Sequence, residues 1–212
     1  MGAPEYTSTG SRERRARARA ATAARRTRAW LERVVVAERL CPFAGRALGR
    51  GDVRIVAGAF DVAACLERLG IEADALARAG APDAADAPTL LLVVAPDERG
   101  ATPVDDFDDF LDLVALAEAL LASLGHEGAL QLASFHPRYA FAGEPADDPA
   151  HATNRAPHPT LHLLRESAVS AAVAAHPDPA GIPGRNIERL RALGADGVRR
   201  LLARADAPGE EG

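Results

Sequence analysis

The run Thr89–Ala95 (TLLLVVA) narrows the possible folds more than any other stretch. It is continuous, partly β-branched, and set between a loop at 80–88 (GAPDAADAP) and a turn region at 96–103. Such a run fits a central strand buried on both faces, which requires helices on both sides of a sheet. Two further strands are expected at Val53–Gly58 (VRIVAG) and, after a turn at 125–128, at Ala129–Ser134 (ALQLAS). Helical patterns lie between the strands. Asp61 caps a helix to about Ala79, with Leu66, Leu69, Ala73 and Leu76 inward. Val104–Leu124 carries an apolar stripe that includes Phe107, Phe110, Leu111 and Val114. Asp105, Asp106, Asp108 and Asp109 crowd its start, where carboxylates complement the helix dipole. Strands alternating with helices imply βαβ crossovers. The expectation is an α/β fold: a small parallel or mixed sheet of at least three strands, flanked by helices, with a C-terminal helical extension.

The ends of the chain frame this body. Thr22–Leu40 has helical spacing around Trp30 and Val34, and Pro42 ends or redirects it. In Cys41-Pro42-Phe43-Ala44, the thiol either opens a short new helix, which lowers its pKa, or closes the first helix and is inert. Ile182–Leu193 and Asp196–Ala205 read as short helices split at Gly194. The expected organisation is a disordered Arg-rich arm at 1–21, one α/β domain at 22–205 and a flexible tail at 206–212.

Composition excludes whole classes of chemistry. All 25 basic residues are Arg, so no lysine Schiff base, P-loop lysine or lysine general base exists. The net charge of −5 hides an asymmetry, because residues 11–28 hold eight Arg against only Glu13. That arm is a candidate for nucleic acid, although no aromatic residue interleaves its arginines and a solvated helix start is the preferred reading. No apolar run approaches the ~20 residues of a membrane span, and no signal-type apolar stretch follows the N-terminal charges. The expected location is the cytoplasm, with Cys41 and Cys65 as thiols.

The unusual residues concentrate in Gln131–Glu166, which holds four of the six histidines: His136, His151, His158 and His162. Its first strand ends at Phe135-His136-Pro137, the carboxyl end where open α/β sheets place their sites. A loop from Arg138 to Pro157 follows, longer than a compact domain usually carries without a functional reason. Residues 160–175 read as a helix with Pro159 at its first position, or else as a strand at 160–164 and a shorter helix. On the helical reading His158, His162 and Glu166 share one side. His136, His162, Asp148 and Glu166 then form a candidate metal set suited to Zn²⁺ or Fe²⁺.

Several of these residues form a composite pattern. It comprises a Trp-containing helix into CPFA (Trp30, Cys41–Ala44), then ASFHPxYxFAG (Ala133–Gly143) and Asp148. NRxPxPxLHLLRE (Asn154–Glu166) and Ile182-x-x-Arg185-Asn186-Ile187 complete it. In this the chain resembles, over roughly 28–194, a bacterial family known only as a domain of unknown function. The family commonly has Ser-Pro-Tyr-Pro after Asn-Arg, whereas this chain has Ala156-Pro157-His158-Pro159. The resemblance implies that a phenol often replaces His158, which weakens that residue as a metal ligand. It implies no activity.

Three functions stand at this point. The first is an enzyme using His136, His162 and Cys41, with or without a divalent metal. The second is a non-catalytic module that binds an anionic small molecule or nucleic acid through Arg138, Arg155 and Arg165, with Tyr139, Asn154 and Arg185 as further candidate ligand-binding residues. The third makes the polar residues a structural clasp for the long loop.

Overall fold

The computed structural model describes residues 6–79 and 88–206. Its sheet has four strands: β1 (Val53–Gly58), β2 (Thr89–Val94), β3 (Leu130–Phe135) and β4 (Thr160–Arg165), in the order β1-β2-β4-β3. β1 and β2 are parallel, and β4 runs antiparallel to both β2 and β3. The sheet is therefore mixed, with β4 inserted between two strands that run the same way. Helices α1 (Tyr6–Trp30), α2 (Ala44–Arg50), α3 (Val62–Arg78), α4 (Phe107–Ser123), α5 (Glu166–Ala175) and α6 (Ile182–Ala203) surround it.

β2 is the strand buried on both faces, as its unbroken apolar run requires. Leu90, Leu92 and Val94 pack with Cys65, Leu69, Phe110 and Leu163 under α3 and α4. Leu91, Val93 and Ala95 pack on the other face with Trp30, Val34, Leu190 and Leu201, from the first and last helical segments. Asp61 caps α3 by accepting from the Ala64 N–H, and Asp106 caps α4 by accepting from that of Asp108. Gly194 (φ 66°, ψ 173°) interrupts α6 at the expected split, since that backbone suits only glycine.

Two expectations change. Residues 160–175 are not one helix but β4 followed by α5. Cross-strand pairing on both sides of Thr160–Arg165 outweighs the helical spacing of its leucines. The stretch expected as a free arm at 1–21 is, from Tyr6 onward, the start of α1, as its Ala- and Arg-rich composition favours. The expected loop at 80–88 and tail at 206–212 lie almost wholly outside the described residues.

After α1 the chain widens into a π-helical turn at Leu31–Val36. It stops with Arg39 in the left-handed region (φ 55°). There the Arg39 N–H reaches the Val36 carbonyl and the Leu40 N–H that of Val35, a Schellman stop. Arg39 is exposed, so Arg39→Gly should raise stability by about 0.5–1 kcal/mol by relieving backbone strain. A thermal melt that moves upward checks this.

Candidate functional site

The polar stretch at 136–157 is a densely hydrogen-bonded loop, and its histidines hold it closed. His136 is 1% exposed and lies against Phe107 and Phe110. Its Nε2–H donates to the Val104 carbonyl (3.0 Å) and its Nδ1 accepts from the Arg138 N–H (3.1 Å). Burial pushes its pKa below the ordinary value. His151, with no exposed surface, repeats the arrangement: Nε2–H donates to the Pro145 carbonyl (2.8 Å) and Nδ1 accepts from the Phe141 N–H (3.0 Å). Both rings have spent both nitrogens on backbone.

The other candidates follow suit. Asn154 accepts at its carbonyl from the His136 N–H (3.1 Å) and donates from its side chain to the Ser134 carbonyl (3.2 Å). Arg155 Nε donates to the Tyr139 carbonyl (3.1 Å), and the Tyr139 ring sits between Phe107 and Phe141. Arg138 donates to the Asp105 carbonyl and pairs with Asp106. Arg185 pairs with Asp178. Arg165 donates to the carbonyls of Leu76 (3.1 and 2.6 Å), Ala77 (3.1 Å) and Ala79, so it caps the C-terminus of α3. Asp148 accepts from Arg191 Nε of α6 at both carboxylate oxygens (3.1 Å each) and from its Nη2 (2.7 Å), and Arg191 also pairs with Glu144 (2.9 Å). The Arg191 guanidinium draws the Asp148 carboxyl down to about 2.

His136, His162, Asp148 and Glu166 therefore do not come together as a metal set. Among the described residues, no three His, Cys, Asp or Glu side chains are placed to share an ion. The reason is local. With 160–165 a strand, His162 lies within the sheet, Glu166 opens α5, and His158 precedes the strand on the far side of Pro159.

What the structure does form is a cleft of about 1100 Å³ over the α1 face of the sheet. Its floor is set by register: Leu91, His162 and Ala133 are neighbours across β2, β4 and β3 and point the same way. Trp30 and Phe135, in edge contact at 5.2 Å, form one wall. α2, α5 and the start of α6 supply the others, chiefly through Ala, Leu and Ile side chains. Phe43 meets His176 edge-on at 6.0 Å and joins the CPFA turn to the end of α5. Asn186 donates to the Leu40 carbonyl (2.7 Å), which fixes that turn against α6. Of the residues expected at a site, Cys41, Asn154, His162 and Arg165 line the cleft, and His136 does not.

Cys41 takes neither of its two expected positions. It lies just ahead of α2, and its sulfur accepts from the backbone N–H groups of Phe43 and Ala44. Burial outweighs these bonds and raises the thiol pKa, so the sulfur stays protonated at neutral pH.

His162 has a defined tautomer. The single hydroxyl hydrogen of Thr89 goes to the Leu163 carbonyl (2.8 Å), so the 2.5 Å contact between Thr89 Oγ1 and His162 Nε2 is carried by the ring N–H. Nδ1 then holds a lone pair. It has no protein partner among the described residues, and the ring lines the cleft. Burial lowers the His162 pKa to about 4, and burial together with Arg26 does the same for His158.

An unfolded chain takes up protons on both rings from pH 6.5, its ordinary value, whereas the folded one does so only near 4. Stability should thus fall as pH drops through that window, by up to about 1.4 kcal/mol per pH unit for each ring. Urea midpoints between neutral pH and about pH 5 check this, and His158→Phe should flatten the slope.

Sequence reasoning missed Trp30, Phe43, Arg46, Thr89 and Phe135 as cleft residues. Only the lone Trp and the CPFA turn gave any signal. No helix among the described residues is long and apolar enough to cross a membrane.

Neither the comparison with curated proteins nor that with solved structures finds a match. The family model described as "Protein of unknown function (DUF1415)" matches residues 22–200. That span takes in all four strands and every residue of the cleft, and the chain belongs to this family.

Proposed function

We propose that the protein binds a small, largely apolar molecule in the cleft over the sheet. The observation that carries this is the cleft itself, about 1100 Å³, apolar on most of its surface and crossed by a few fixed polar groups. Ligand sites in α/β proteins have this composition and about this size. The hydrogen bonds of His136, His151, Asn154, Arg138 and Arg155 support the clasp reading of the 136–157 loop. These bonds tie the loop to its own backbone and to the residues just before α4. A protonated Cys41 argues for recognition over nucleophilic chemistry in the cleft. Nucleic acid on α1 is not adopted, because no aromatic residue interleaves with its arginines.

The chain has a single Trp, and it lies on the cleft wall. Energy transfer from Trp30 to the neutral apolar dye N-phenylnaphthylamine is therefore a direct readout. We expect a saturable signal with one site per chain. A linear, unsaturable rise would remove the proposal.

A further inference from the structure

The polar groups of the cleft define its ligand more narrowly. This step rests on the cleft being a ligand site. Three arginines line it: Arg46, Arg50 and Arg165. Arg165 is spent on the end of α3, and Arg50 pairs with Asp52 (2.7 Å). Arg46 has no hydrogen-bond or ion-pair partner among the described residues and is exposed, which sets it at the rim. The acidic lining residue Glu144 is matched by Arg191. The Arg46 charge at the rim is thus uncompensated among the described residues. Among the described residues, His162 Nδ1 on the floor is an acceptor without a protein partner, because Thr89 holds the ring N–H on the other side. A low basicity keeps that ring uncharged at neutral pH, so it accepts a hydrogen bond and does not attract an anion.

We infer that the cleft selects an amphiphilic acid: an apolar body with a hydroxyl that donates to His162 Nδ1 on the floor and a carboxylate that faces Arg46 at the rim. The two groups are complementary in kind, since a carboxylate on the floor would meet a lone pair and a bare hydroxyl at the rim would leave Arg46 unmatched.

Competition against N-phenylnaphthylamine with three chains of equal length tests this: ω-hydroxydecanoic acid, decanoic acid and decanol. ω-Hydroxydecanoate should displace the dye at a concentration about threefold to tenfold below that of decanoate, the range of one buried neutral hydrogen bond. It should outcompete decanol by about twofold to fivefold, an advantage that shrinks with added salt. His162→Phe should erase the first advantage and Arg46→Ala the second, each leaving the other intact. Thr89→Val, which frees the ring to change tautomer, should weaken the first advantage if His162→Phe does not fold. Equal displacement by all three chains overturns the inference while leaving the cleft as a binding site, as does an order that survives both substitutions. A cleft that takes no dye at all removes the underlying reading instead. Dimerisation that masks the cleft, seen by sedimentation, would also overturn the inference.

Discussion

His151→Ala should destabilise the fold by about 3–5 kcal/mol, although the residue lies in a loop. The ring has no exposed surface and bridges two backbone groups, the Phe141 N–H and the Pro145 carbonyl. Removing it strands both, at about 1–3 kcal/mol each, and leaves a hole beside Phe141. A surface histidine on a mobile loop would cost under about 0.5 kcal/mol. Urea unfolding followed by Trp30 fluorescence separates the two outcomes. His136→Phe should cost less, about 2–3 kcal/mol, because the new ring can still pack against Phe107 and Phe110 while the Val104 carbonyl and Arg138 N–H lose their partner.

The second large effect concerns the cleft. Ala168 and Ala172 lie one turn apart on α5, and both line it. Ala168→Phe with Ala172→Phe should fill much of the space between α5 and the floor. Dye affinity should drop at least about tenfold, as expected when roughly 1.4 kcal/mol of contact is lost. Stability should hold or rise, since the new rings enter open space and not a packed core. Loss of binding together with loss of folding would point to overpacking, and retained binding would place the dye elsewhere.

Much of the fold could be read from the chain. The run at Thr89–Ala95 has one sensible home, and it is the strand buried on both faces. Asp61 and Gly194 mark local events, a cap and a break, whose chemistry depends on a few neighbouring residues. Thr160–Arg165 was harder. Its leucines suit a helix as well as a strand, and the decision rests on partners far away in sequence, Leu90–Val93 and Leu130–Phe135. The site suffered for the same reason. His136 and His162 looked like a pair because a helix at 160–175 would set His162 opposite the strand end that carries His136. Register instead puts His162 between Leu91 and Ala133, while His136 turns into the aromatic cluster on α4. The cleft was not legible as a cleft. Its walls come from α1, α2, α5 and α6, and no spacing rule brings Trp30, Phe43 and Ala172 together.

Of the six histidines, His136 and His151 give both ring nitrogens to backbone groups, whereas His162 lines the cleft. Long-range proton–nitrogen correlation spectra of the imidazoles, with and without N-phenylnaphthylamine, test that division most directly. His136 and His151 should each show a single Nε2–H tautomer that the dye leaves unchanged, and His162 should shift on saturation. A dye-dependent change at His136 or His151, with His162 unmoved, would contradict the account.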